Sequence, residues 1–199
     1  MTRIVVLASG SGSNLQALLD AERSHELSSG SIVGVISDRP HAHALVRATA
    51  AGVTTVALPP ESDEPRSSYD RRLLASITAF QPDLVVLAGW MRLLTSTVVG
   101  AVRVINLHPA LPGELPGIRA IERAHAEFLA GERQHTGVMV HDVPDEGVDC
   151  GPVLASELVP INDDDSLDDL ARRIHDVEHR LLVTTVARLC SVPPDRRIR

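Results

Sequence analysis

The feature that most constrains this chain is a rhythm of short, unbroken apolar runs, each followed by a helical pattern. The runs fall at Arg3–Ala8 (RIVVLA), Ile32–Ser37, Thr54–Leu58, Leu84–Ala88 (LVVLA) and Val102–Leu107 (VRVINL). Between them, Ser13–Arg23 sets Leu15, Leu18 and Leu19 on one helical face, and His41–Ala51 closes at Gly52. Ser67–Phe80 repeats Leu73, Leu74 and Ile77 at helical spacing. A strand that is apolar along its whole length offers no face to water, so both its faces must be covered. Strands of this kind alternating with helices predict an α/β fold, a mostly parallel sheet with helices on both faces.

The second half reads differently. Ile118–Ala130 has a helical pattern. Thr136–Asp142 and Val153–Val159 alternate enough to predict antiparallel strands added in the C-terminal part, joined by the polar loop Val143–Gly151. Ser166 opens a long helix running to about Leu189, and Asp169 completes a capping box in place of the usual Glu.

Bulk properties narrow the function classes. The 199 residues suit one domain, or a core domain with a smaller C-terminal lobe. The formal net charge of -7 argues against a nucleic-acid partner, which normally meets a basic face. No apolar run approaches membrane-spanning length, and Met1–Ala8 lacks the stretch of a secretory leader. A soluble, cytoplasmic protein without membrane contact is the expectation. Two cysteines, Cys150 and Cys190, lie far apart and outside any metal-ligand spacing, so neither a disulfide framework nor a structural zinc is expected. Cys150 has no activating base nearby in sequence and is assigned a packing role. The histidines outside the motifs below, His141 among them, form no zinc pattern with an adjacent acid, and no metal is expected.

Ligands of open α/β sheets bind beyond the carboxyl ends of the strands, so the informative residues follow each run. Ser9-Gly10-Ser11-Gly12-Ser13-Asn14 joins the first strand to the first helix. It reads either as a cradle for an anion at a helix N-terminus or as a tight turn capped by Ser13 or Asn14. Gly10-x-Gly12 also matches the start of a nicotinamide fingerprint, with Asp38 at the ribose-binding position. The third glycine position holds Leu15, however, which disfavours that reading. Asn106 and His108, two apart on a strand, share one face. An amide donor beside an imidazole suits acyl transfer, although a polar strand end with a satisfied histidine is the blander alternative. Asp149, between glycines in a loop, is either a solvated turn residue or a carboxylate that orients His108 and raises its basicity. Glu178 lies within the apolar stripe of the last helix and needs a partner there, either an Arg or a ligand.

In this order and spacing, Ser9–Gln16 (SGSGSNLQ), Pro82–Leu94 (PDLVVLAGWMRLL), Asn106–Leu111 (NLHPAL), His135–Pro152 and Val177–His179 resemble the glycinamide ribonucleotide (GAR) transformylase family of folate-dependent formyltransferases. The resemblance implies a Rossmann-like sheet and a single formyltransferase domain over 1–190. Its 1–107 half binds the nucleotide phosphate, its 108–190 half completes the folate cleft, and a polar tail occupies 191–199. It implies Asn106, His108 and Asp149 as the catalytic trio, with Asn106 and a protonated His108 stabilising an oxyanion. Ser11, Gly12, Ser13, Asn14 and Glu178 would bind GAR. Arg66, Met91, Arg92, Leu93, Leu94, Val143, Pro144 and Asp145 would bind folate. The cosubstrate would be 10-formyltetrahydrofolate, without a metal, and the partners only these small molecules, with a homodimer left open.

The segment Leu111–Arg119 departs from many relatives. Arg119 replaces a common histidine and reads as an exposed helix-start residue, a contact to the anionic ribonucleotide, or a partner of Glu114. Competing readings are a formyltransferase acting on an amino-sugar nucleotide, a 10-formyltetrahydrofolate hydrolase and, from another class, a nicotinamide-dependent oxidoreductase. A methionyl-tRNA formyltransferase shares the motifs but is expected to carry a further RNA-binding domain.

Overall fold

The structure, a computed structural model, describes residues 1–191. Its elements are β1 (Thr2–Leu7), α1 (Ser13–Arg23), β2 (Gly30–Ser37), α2 (His43–Ala50), β3 (Thr55–Ala57), α3 (Arg66–Thr78), β4 (Leu84–Leu87), α4 (Ser96–Val99), β5 (Val104–His108), α5 (Ala120–Leu129), β6 (His135–Asp142), β7 (Val153–Pro160) and α6 (Leu167–Ser191). One seven-stranded sheet runs in the order β3-β2-β1-β4-β5-β6-β7. Every pairing from β3 to β5 is parallel, and β6 and β7 are added antiparallel. The α/β expectation holds, including the antiparallel addition.

The unbroken apolar runs are unbroken because each strand feeds two cores. Ile4, Val6 and Ala8 of the first run face a core that includes Leu15 and Leu18 of α1 and Ile174 and Leu182 of α6. Val5 and Leu7 face the opposite core, with Tyr69, Leu73 and Ile77 of α3 and Val98 of α4. Leu84 and Val86 divide from Val85 and Leu87 in the same way. A Leu-to-Ala change at a fully buried position such as Leu15 costs about 2–5 kcal/mol.

The helix bounds differ from the sequence pattern by one or two residues, and α4 is a helix that the pattern does not show. α2 begins at His43 because the Ala42 N–H closes a turn on Arg39 O at 3.0 Å. α4 has only four residues, too few to show periodicity, and its start is set from a distance: the Thr95 N–H donates to Oδ2 of the buried Asp70 at 2.6 Å. The capping box is present, with the Asp169 N–H donating to Ser166 Oγ at 3.2 Å. Among the described residues, no helix is long and apolar enough to cross a membrane.

Candidate active site

β1 and β4 are adjacent at the centre of the sheet. From β1 the chain winds outward to β2 and β3, and from β4 it winds the other way. This reversal opens a crevice at the carboxyl ends of the strands. The loops after β1 and β4 are laced together there: the Ser9 N–H donates to Gly89 O at 3.0 Å, and the Met91 N–H to Ser9 Oγ at 2.9 Å. Gly12 turns the chain with φ 73°, and a Cβ there would lie 2.7 Å from Ala44 Cα, so α2 packs directly on this loop. No side chain caps α1, and its first turn holds no acid. The N–H groups at the positive end of the helix therefore have no side-chain cap, and the reading of Ser13 or Asn14 as a cap is not met. Leu15 is fully buried, filling the space that a dinucleotide fingerprint leaves to glycine.

Asn106, His108 and Asp149 come together beside this loop. The Asn106 amide donates to Asp149 Oδ1 at 3.0 Å. His108 Nδ1 lies 3.4 Å from Asp149 Oδ2, which also accepts the Gly117 N–H at 2.8 Å. His108 Nε2 meets Leu115 O at 3.0 Å. A carbonyl oxygen only accepts, so Nε2 carries the hydrogen and Nδ1 is the basic nitrogen of the neutral ring. Burial lowers the His108 pKa; the Asp149 charge opposes this without reversing it. Burial alone would raise the Asp149 pKa, but contacts from His141, the Gly117 N–H and His108 hold it below its ordinary value. The resting state is a neutral imidazole beside a carboxylate. Asp149 sits at φ 51°, a region that Asp tolerates better than most residues.

The sequence assigns His141 no role, yet it belongs to this cluster. Antiparallel register sets it opposite Asn106. Its Nδ1 meets Asp142 O at 2.8 Å and so carries a hydrogen, while its Nε2 lies 3.2 Å from the Asn106 amide nitrogen and 3.5 Å from Asp149 Oδ1. The Asn106 amide is thus flanked by Asp149 and His141, and a substrate oxygen must share its hydrogens with them. Sheet register, which local pattern does not reveal, is the only signal that could have found His141.

Glu178 is buried, and burial raises its pKa to about 7, with the Asn14 hydrogen bond opposing. Asn14 Nδ2 donates to its Oε2 at 3.4 Å, and His175 Nε2 is 3.9 Å away. No Arg pairs with it among the described residues. Asn14 Oδ1 is itself buried without a partner.

One cleft of about 620 Å³ joins Ser11, Gly12, Ser13, Asn14, Asn106, His108, Asp149 and Glu178 to Met91, Arg92, Leu93, Leu94, Val143 and Asp145. Met91 and Leu93 stand about half exposed at its mouth, whereas Leu94 is buried in the core. The Arg92 guanidinium lies 4.5 Å over the Tyr69 ring. Arg66 and Pro144 are not brought into the lining. Arg66 sits instead at the start of α3, 3.8 Å from Glu146 Oε2, and Glu146 Oε1 accepts the Ser96 N–H at 2.8 Å. Two further expectations need correction. Glu114 pairs with Arg133, not Arg119, because Arg119 starts α5 in a left-handed conformation (φ 59°) and is exposed at the cleft. Cys150 is exposed on its loop and packs no core; Cys190 is the buried thiol. Among the described residues, no group of three or more His, Cys, Asp or Glu side chains is placed to hold a metal ion.

The sequence profile of the Formyl transferase family matches residues 2–186. The chain is 42% identical over 196 residues to phosphoribosylglycinamide formyltransferase of Schizosaccharomyces pombe, covering 92% of this chain and 94% of that protein. It is 39% identical over 180 residues to the Escherichia coli protein of the same name, covering 89% and 82%. The crystal structure of glycinamide ribonucleotide transformylase 1 from Symbiobacterium toebii superposes with a TM-score of 0.89 at 38% identity, covering 100% of this chain and 93% of that one. With the profile spanning nearly all the described residues and the relatives nearly their full lengths, the chain belongs to the formyl transferase family, in its phosphoribosylglycinamide formyltransferase branch.

Proposed function

We propose that this chain transfers the formyl group of 10-formyltetrahydrofolate to the primary amine of GAR, giving N-formyl-GAR and tetrahydrofolate, in purine biosynthesis in the cytoplasm. The observation that carries the reading is one continuous cleft that unites an uncapped helix N-terminus, a buried carboxylate and an amide–imidazole–carboxylate cluster. The 1–107 half takes the nucleotide and the 108–190 half completes the folate side. The GAR phosphate docks on the N–H groups at Ser11–Asn14, where the helix dipole favours negative charge. Glu178 and the free Asn14 Oδ1 accept hydrogens from the ribose and amine end. The folate lies along Met91–Leu94 and the 143–149 loop, where half-exposed apolar side chains suit a flat heteroaromatic ring.

The amine lone pair attacks the formyl carbon, and the carbonyl oxygen becomes an oxyanion. Asn106 shares an amide hydrogen with it. His108 takes the proton that the amine nitrogen sheds, directly or through water, and the imidazolium so formed balances the oxyanion. The Asp149 carboxylate, 3.4 Å from Nδ1, stabilises that imidazolium. The proton then passes to N10 as the carbon–nitrogen bond to folate breaks, so no covalent enzyme intermediate is needed. The test is kcat/KM with 10-formyltetrahydrofolate and, in turn, GAR, an amino-sugar nucleotide and water alone. GAR should be preferred over both by at least about 100-fold, as expected for a site built to hydrogen-bond its substrate. Preference for the amino sugar, or release of free formate, would overturn it.

A further inference from the structure

The loop between β5 and α5 touches His108 and Asp149 of the cluster through its backbone. Leu115 O accepts the Nε2–H of His108, and the Gly117 N–H donates to Asp149 Oδ2. The first bond decides which His108 nitrogen carries the hydrogen. The second steadies the oxygen that faces the other nitrogen. Yet the loop does not hold this shape by its own preference. Leu115 and Arg119 lie at φ 45° and 59°, a region that side chains other than Gly, Asn and Asp avoid. Such backbone persists only where its surroundings over-determine it.

The Leu115 side chain is buried in the core, and two arginines add to that hold. Arg123 Nη1 donates to Pro116 O at 2.8 Å. Arg133, just before β6, pairs through Nη1 with Glu114 on the loop. Its Nε donates to Glu127 Oε2 on α5 at 2.7 Å, and its Nη1 also reaches His135 O at 3.2 Å. The Arg133 side chain is only 15% exposed, so water and salt screen these pairs less than surface ones. One planar fork thus ties the loop to α5 and to the first residue of β6.

We propose that Arg133, acting through Glu114, is a positioning residue for His108 and Asp149, holding the loop in the shape that presents Leu115 O and the Gly117 N–H to them. The inference rests on the catalytic reading of these two residues given above. Without the pair, Leu115 relaxes from positive φ and its carbonyl leaves the imidazole. His108 then carries its hydrogen on either nitrogen. The fraction with hydrogen on Nδ1 cannot accept the amine proton at that atom, and kcat falls.

The test compares Glu114→Gln, Glu114→Ala, Arg133→Met and the double variant Glu114→Ala/Arg133→Met in the full chain. Two readouts are taken: steady-state kinetics with GAR and 10-formyltetrahydrofolate, and ¹⁵N NMR of the His108 ring at pH 8, assigned by the signal missing from His108→Ala. Wild type should be almost wholly Nε2–H. The alanine and methionine variants should show the Nδ1–H tautomer, with kcat reduced in proportion to the Nε2–H fraction that remains, about two- to tenfold, and both KM values changed far less. The double variant should be no worse than the more damaged single one, because one pair is being removed. Glu114→Gln, which keeps shape and hydrogen bonding, should fall between wild type and Glu114→Ala, and it carries the test if a larger change fails to fold. An unchanged His108 tautomer in folded variants, whether or not kcat falls, would overturn the proposal. The NMR arm needs no substrate, so an error about GAR as the amine shows only in wild-type kinetics and leaves this arm intact.

Discussion

Asn14 Nδ2 lies 3.4 Å from Glu178 Oε2, joining the first turn of α1 to the middle of α6 across 164 residues of chain. The contact closes one end of the cleft and is the only hydrogen bond to that buried carboxylate among the described residues. A carboxyl group desolvated this far and given so little in return costs the fold something to keep.

That cost is measurable. Glu178 has its pKa raised from 4.5 to about 7 by burial. Between those values the native state holds a proton that the unfolded state has released, so stability falls as pH rises through the window and levels off above about 7. A shift of this size corresponds to about 3 kcal/mol. Glu178→Gln should flatten this slope and be more stable than wild type at pH 8 by about 1–3 kcal/mol. It should also raise the KM for GAR about 10- to 100-fold, the worth of a hydrogen bond to a charged group. Thermal melts at pH 5 and pH 8 check the first statement and saturation kinetics the second. A variant no more stable than wild type at pH 8 would contradict the assignment.

His108 should titrate below 6.5, because burial lowers its pKa more than Asp149 raises it. In Asp149→Asn the favourable charge is gone and the midpoint should drop further. Asn also tolerates the left-handed backbone at 149, so the fold should survive. NMR titration of the His108 ring proton measures both. A wild-type midpoint above 6.5, or a rise on removing Asp149, would show that the ring's environment has been misread.

Much of this was legible in the sequence, and the limits have physical causes. The apolar runs marked the parallel strands because strands buried on both faces admit no polar positions. Asn106 and His108 stood out because a strand's period of two puts them on one face. His141 did not: only the register of β6 against β5, with a bulge between Val140 and His141 against β7, brings it opposite Asn106. Asp70, Arg133 and Glu146 escaped notice for the same reason. Each acts on a segment far away in sequence, and nothing in its own neighbourhood announces the partner. The exposure of Cys150 is not legible either, because a small apolar side chain near glycines does not reveal on which side of a loop it lies.

Gly12 is required by packing as well as by any ligand. Gly12→Ala should destabilise the fold by about 1–3 kcal/mol, since its Cβ meets Ala44 backbone at positive φ. Denaturant titration checks this. A neutral result would mean that α2 shifts away from the loop at little cost.

Glu146 anchors the 143–149 loop by accepting the Ser96 N–H, with Arg66 nearby. Glu146→Ala should raise the KM for the folate roughly three- to tenfold through the lost cap, with little change in the KM for GAR. Equal changes in both constants would place its influence elsewhere.

The most direct measurement follows the formyl carbon itself. Enzyme in excess is mixed with GAR and 10-formyltetrahydrofolate labelled with ¹³C in the formyl group, and the label is traced by NMR for wild type and for Asp149→Asn. In wild type the label should move to the formyl amide of GAR with no enzyme-bound adduct. Asp149→Asn should give the same product about 100-fold more slowly or worse. Label recovered as formate, label attached to the protein, or an undiminished rate in Asp149→Asn would contradict it.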